Sequence, residues 1–219
     1  MRGFGYDIAH LLGGGMLAVS FALLYQSRLF AVLQTFALHA FLLAAAVAWQ
    51  AYAQPAPHLY VTAAIALLFK AIVIPIALHR IIERLEIHRD VETVIGVGTT
   101  MLAGVGLVAL SVAVVLPITT SSGALERDDL ALAMSIILLG LLMMITRRNA
   151  VTQVVGFMSL ENGLILAAAG VSGMPLVVEV SVAFAVLIAF VVFGLFFFRI
   201  RERFDSLDVH TLERFRGER

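Results

Sequence analysis

Three side chains that water normally holds stand in the middle of apolar runs in this sequence: Lys70, Glu161 and His39. Lys70, the single lysine, lies between Leu67-Leu68-Phe69 and Ala71-Ile72-Val73, and Glu161 follows Val154-Val155-Gly156-Phe157-Met158-Ser159-Leu160. Amine, carboxylate and imidazole are groups that bind and release protons. At the centre of a membrane helix such a group costs about 2.5–3.5 kcal/mol on insertion scales, so it is turned inward, paired, and marks a functional site by default. The chemistry the three could perform together is proton exchange. A fourth acid, Glu179, stands four residues into another apolar run, closer to its end. Each has a plainer reading: Lys70 can simply neutralise Glu161, His39 can bond a neighbouring carbonyl, and Glu179 can be hydrated at an interface.

The elements that must position these groups are the apolar runs themselves. Hydrophobic residues make up 61% of the 219, charged residues 14%, and the mean hydropathy is +1.01, outside the range of an ordinary soluble domain. The runs cover Ile8 to Tyr25, Leu29 to Ala53, Leu59 to Ile82, Val94 to Pro117, Leu130 to Thr146, Val151 to Val171 and Leu176 to Ile200. Each is long enough, or nearly so, to cross about 30 Å of hydrocarbon as a helix; the fifth is the shortest. The expected fold is therefore all-α, a multi-pass membrane protein of about seven transmembrane helices. Arg2 followed by an apolar run and Ala18-Val19-Ser20 resembles a cleavable signal peptide, but the run is expected to be retained as the first span. His39 and Glu161 are eleventh in their runs and Lys70 twelfth, which places all three roughly 15–17 Å deep at about 1.5 Å per residue. A polar row near the midplane follows.

Fourteen of the fifteen basic residues are arginine. With the C-terminus inside, Arg28, Arg80, Arg84, Arg89, Arg147, Arg148 and six tail arginines fall on one side, against Arg2 and Arg127 on the other. The positive-inside rule then predicts N-terminus out and C-terminus in. Such a distribution concerns orientation, not nucleic acid. The absence of cysteine excludes disulfides, thiolate metal sites and iron–sulfur ligation in this chain.

The connections are short. Pro55 and Pro57 mark one outer turn, Gly173 and Pro175 another. The stretch from Glu83 to Glu92 mixes charges and reads as a solvated helical extension. Gly96, Gly98, Gly104 and Gly106 in the fourth run read as close helix packing rather than phosphate binding. Pro75, five residues after Lys70, removes a backbone donor and clashes with the Ala71 carbonyl, so a kink is expected just below the lysine, where a freed carbonyl would attract water. In the tail, Phe204, Leu207, Thr211 and Phe215 recur at helical spacing among six arginines and five acids, which suits contact with a partner better than with lipid.

From Leu139 to Ala169, with Ile145-Thr146-Arg147-Arg148-Asn149, Val154-Val155-Gly156-Phe157 and Leu160-Glu161-Asn162-Gly163, the chain resembles subunit K of respiratory complex I and the related small C-type component of multisubunit cation/proton antiporters. Those are three-helix proteins with an Arg-Arg-Asn type inner turn and a glycine seven residues beyond its asparagine, as Gly156 follows Asn149. Over its whole length, with Phe-Met-x-Leu-Glu-Asn-Gly in the sixth run, the chain resembles the hydrogenase-4 component E family of formate hydrogenlyase and membrane-bound hydrogenase complexes. The resemblance implies residues 1–129 as four N-terminal helices, 130–200 as a K-like three-helix part, and 201–219 as an inner polar tail. It departs from the K pattern at two places. The K-type glutamate would fall at Met158, three residues before Glu161, and a second glutamate near Val186, where the nearest acid is Glu179.

What the resemblance implies is a subunit of the cell inner membrane, between large antiporter-like membrane subunits and a peripheral oxidoreductase arm, helping to couple electron transfer to proton or sodium movement. No cofactor is expected in this chain; a nickel–iron centre and iron–sulfur clusters would belong to partner subunits, and no catalytic centre of its own is expected. The proton-path candidates are Glu161, Lys70, His39 and Glu179, with Pro75 at the kink. A purely structural subunit, or membership of a cation/proton antiporter, remains open. A retinal protein needs a lysine in its last helix, and Leu176 to Ile200 contains none.

Overall fold

Leucine, alanine and valine runs in hydrocarbon have one way to satisfy every backbone N–H and C=O without a partner strand, which is to form helices. The computed structural model describes residues 2–84, 94–118 and 124–170, and among them there is no strand. The order is α1 (Arg2–Tyr25), α2 (Leu29–Ala53), α3 (Pro57–Ile65), a π-helical stretch (Ala66–Val73), α4 (Ile74–Arg84), α5 (Val97–Ile118), α6 (Ala124–Thr146) and α7 (Ala150–Gly170). The α3, π and α4 pieces are continuous and cross as one. Six helices among the described residues are long and apolar enough to span a membrane. The expected seventh run from Leu176 to Ile200, with Glu179, and the turn at Gly173 and Pro175 lie outside the described residues. So do the tail and residues 85–93 of the charged inner stretch.

The short fifth run gains six residues at its start, because α6 begins at Ala124 and carries Asp128 and Asp129 in its opening turns. The boundary expected after residue 129 thus falls inside a helix. Short connections make α1 and α2 antiparallel neighbours, and likewise α6 and α7. The latter is the most extensive pairing among the described helices, with α2 touching α1, α3, the π stretch, α4 and α7. The α2 stripe Val32, Phe36, His39, Leu43, Val47 and Gln50 is buried at helical spacing, and His39 sits in its middle. Helix α5 is buried least. Of the four glycines expected to pack closely, Gly104 alone meets neighbours among the described residues, with an added Cβ 3.0 Å from Phe21 and 3.1 Å from Leu139; Gly96, Gly98 and Gly106 have no described residue within 4 Å. Among the described helices α5 meets α6 and α1, and Gly104 lies on that face.

Close approach belongs instead to α6 and α7. A Cβ on Gly140 would lie 2.6 Å from the backbone nitrogen of Leu160, one on Gly156 3.1 Å from the Gly140 oxygen, and one on Gly163 3.0 Å from the Ala133 oxygen. Three glycines let the two backbones touch over about two turns, along residues 133–140 of one helix and 156–163 of the other. The turn between the two helices locks the rest. Asn149 caps α7, its Oδ1 accepting from Val151 N–H at 2.9 Å. Arg147 is buried, and its Nη2 donates to the carbonyls of Leu23 (3.3 Å), Leu24 and Gln26 (2.9 Å) at the C-terminal end of α1. A cation on helix-end carbonyls is favourable for both dipole and hydrogen bonding. Burial lowers its pKa, but arginine starts high enough that the charge persists.

The Arg147→Met variant keeps the apolar stem and leaves these carbonyls without their charged donor. It should lose about 1.5–3 kcal/mol of unfolding free energy, the range for a hydrogen bond to a charged group. Exposed Arg148, changed the same way, should lose almost nothing; chemical unfolding of the two purified variants makes the comparison.

Candidate functional site

The buried stripe of the third crossing reads Leu59, Ala63, Ala66, Lys70, Ile74, Leu78 and Ile82. Repeated steps of four overshoot a 3.6-residue turn by about 40° each. A wide turn absorbs that overshoot, and the π stretch from Ala66 to Val73 supplies it around Lys70. Its last bond runs from Ile74 N–H to the Phe69 carbonyl. The next in the same i→i+5 pattern would join residue 75 to the Lys70 carbonyl, and Pro75 has no N–H. Proline therefore ends the π stretch, and in this i→i+5 pattern the donor it lacks is the one that would meet the Lys70 carbonyl. The irregularity surrounds the lysine instead of lying below it. Such π segments are frequent at functional sites.

Lys70 is 1% exposed and Glu161 6%, and Lys70 Nζ lies 2.9 Å from Glu161 Oε2. The same ammonium donates to Asn162 Oδ1 at 3.0 Å. Asn162 Nδ2 meets His39 Nδ1 at 3.0 Å, His39 Nε2 meets Ser20 Oγ at 3.0 Å, and the Ser20 hydroxyl donates to the Met16 carbonyl at 2.9 Å. One continuous polar chain thus crosses from the π stretch through α7 and α2 to α1. Lys70, Glu161 and His39, read from sequence as residues at one depth, are brought together in it; Glu179 lies outside the described residues. Glu161 Oε1 is buried without a hydrogen-bond partner among the described residues. Charge in a low-dielectric setting is held by a counter-charge and by hydrogen bonds, and both are present here.

Two members carried no role in the sequence reading. Asn162 was visible only as part of a motif, and Ser20 only as part of an apolar run. The available signal was an amide and a hydroxyl facing the interior of helices that need no polar groups. A second buried polar group was also missed. At the other end of α2, Gln50 Nε2 donates to Asp129 Oδ2 at 2.9 Å, and Gln54 Nε2 bonds Gln50 Oε1 at 2.9 Å and the Ala169 carbonyl at 3.1 Å. Nearby, His10 Nε2 is 3.3 Å from Asp128 Oδ2. Among the described residues no group of three or more His, Cys, Asp or Glu is placed to hold a metal.

No family model matches the chain, and no solved structure matches it. The chain is 28% identical over 152 residues to an uncharacterized protein of Mycobacterium tuberculosis, covering 68% of this chain and 69% of that one. It is 26% identical over 163 residues to hydrogenase-4 component E of Escherichia coli K12, covering 74% and 76%, and equally to that of Shigella flexneri. With six membrane-length helices among its described residues and a buried ion pair, the chain is a multi-pass membrane protein distantly homologous to hydrogenase-4 component E.

Proposed function

We propose that this chain is an integral membrane subunit of a hydrogenase-4-like, complex I-like assembly, and that the Lys70–Glu161 pair takes part in moving a proton as a partner arm transfers electrons. The reading is supported by the distant similarity to hydrogenase-4 component E. The observation that carries it is a lysine–glutamate contact of 2.9 Å inside the bundle. In the transfer step Lys70 Nζ releases a proton to Glu161 Oε2: an N–H bond breaks, an O–H bond forms, and an ammonium–carboxylate pair becomes amine and acid. Close contact makes that exchange short, and the low-dielectric surroundings bring the two states closer in energy, because the charged one loses hydration. The subunit then sits in the inner membrane with a seventh helix from Leu176 to Ile200, N-terminus out and C-terminus in, beside antiporter-like subunits. Proton is the ion for which this donor set has matching chemistry.

A scaffold role is the second reading, favoured by the way one hydrogen-bond chain ties four crossings together. Glu161→Gln separates the two, since the amide keeps the shape and an acceptor for Lys70 but cannot carry the proton. In the assembled complex, coupled ion movement should fall to background while assembly stays normal. Unchanged pumping with normal assembly would leave the scaffold reading standing.

A further inference from the structure

The polar chain has a direction, and the direction follows from its most constrained member. The Lys70 nitrogen donates, so it must face an acceptor, and this fixes Asn162 with Oδ1 toward Lys70 and Nδ2 toward α2. An amide nitrogen only donates, so His39 Nδ1, 3.0 Å away, is the bare acceptor nitrogen. The ring proton of neutral His39 then belongs to Nε2 and points at Ser20 Oγ. Ser20, having accepted, gives its own hydrogen to the Met16 carbonyl, where the chain ends on a backbone oxygen. Every donor points from Lys70 toward α1.

The direction is the same in both states of the ion pair. As an ammonium Lys70 has three N–H bonds, and as a free amine beside a protonated Glu161 it still has two, one of which continues to face Asn162. A proton moving between Lys70 and Glu161 leaves Asn162, His39 and Ser20 as they were. For a proton to pass onward, Asn162 would have to accept one on Oδ1 and release another from Nδ2, and an amide is neither a base nor an acid of that strength. At the far end, Ser20 offers its hydrogen to a carbonyl that has none to give.

We propose that Asn162 is a proton stop: it joins Lys70 to His39 by geometry while isolating His39 from the protons of the Lys70–Glu161 pair, which exchanges with its surroundings through Glu161 Oε1. His39 and Ser20 are positioning residues that hold the Asn162 amide, and through it the ammonium. Among the side chains of this hydrogen-bonded series, Glu161 Oε1 is a buried polar atom with no partner among the described residues. A proton arriving there forms an O–H bond and neutralises the carboxylate, while Oε2 keeps accepting from Lys70. The proposal rests on the proton-exchange reading above for its functional meaning, and its structural content is tested separately.

The full-length chain, labelled with nitrogen-15, reads the His39 ring directly, with the signal identified by its loss in His39→Gln. Among the described residues, the titratable and hydrogen-bonding groups facing this ring from the packed elements are Lys70 and Glu161, through Asn162, and Ser20. One protonated and one bare nitrogen are expected, with Nδ1 bare, and the pattern should be unchanged in Glu161→Gln. A protonated Nδ1, or a ring whose protonation follows the Glu161 substitution, overturns the proposal. Asn162→Asp supplies the converse. A carboxylate accepts from both sides, so Nδ1 should become protonated, and a Nδ1 that stays bare in the folded variant also overturns it. If pumping by the complex survives Glu161→Gln while Nδ1 is bare, the functional reading fails and the amide stop stands. If Nδ1 is protonated while pumping is lost, the reverse holds.

Discussion

Replacing Lys70 by methionine should destabilise the bundle by about 3–5 kcal/mol, because removing one member of a buried ion pair leaves the other charge uncompensated. Methionine matches the lysine stem, so cavity formation contributes little. Two oxygens lose their donor, Glu161 Oε2 and Asn162 Oδ1, and a buried acceptor left unmatched costs about 1–3 kcal/mol. The informative comparison is the double variant Lys70→Met with Glu161→Leu. Buried ion pairs replaced together by apolar groups are often neutral in stability, so the double variant should recover most of the loss while pumping remains absent. Unfolding in detergent measures the first and ion movement in vesicles the second. A double variant no more stable than Lys70→Met would show that the two residues are not one energetic unit.

The Gly140→Val variant should be nearly as damaging for a different reason. The first added carbon would sit 2.6 Å from Leu160 N, 2.8 Å from Leu160 Cα and 2.9 Å from the Gly156 oxygen. All three are backbone atoms, so no rotamer change relieves the contact. The helices α6 and α7 must separate, at about 1–3 kcal/mol or more for an overpacked interior, and Glu161, next in sequence to Leu160, moves with the backbone. Gly106→Ala is the control. No described residue lies within 4 Å of it, and alanine in a helix is about 1 kcal/mol better than glycine, so stability should hold or rise. Thermal unfolding of the two variants side by side gives the result.

The polar row was legible in the sequence because bilayer thickness converts position in an apolar run into depth, and three ionisable residues shared one depth. What depth does not encode is azimuth. Whether Lys70 turns toward Glu161 depends on the π stretch, which keeps residues 66, 70, 74, 78 and 82 on one buried face, and a periodicity of 3.6 gives no hint of it beyond Pro75. The glycines show the same limit. Small residues announce that some backbone can be approached, but the four glycines of the fourth run attracted notice while the contact was made by Gly140, Gly156 and Gly163, which are spread over two helices. Arg147 was read from loop charge alone. Its work on the α1 carbonyls depends on a turn bringing a residue against a helix end some 120 positions earlier, and no local pattern carries that. Asp129 fell just outside an apolar run whose helix in fact starts earlier.

The separation in sequence between Lys70 and the groups that satisfy it bears on how the protein is made. Lys70 and Asn162 are 92 positions apart, and synthesis at about 5–20 residues per second puts roughly 5–20 s between their emergence from the ribosome. Over that interval the third crossing carries a charge for which α7 does not yet exist. The first half of the chain is thus born with a debt to the second, and an insertion factor, a water-filled translocon or an acid on another subunit must shelter the lysine until α7 arrives. Membrane quality control that recognises unpaired charge would see a chain stalled before residue 161 as unfinished and a completed one as sound.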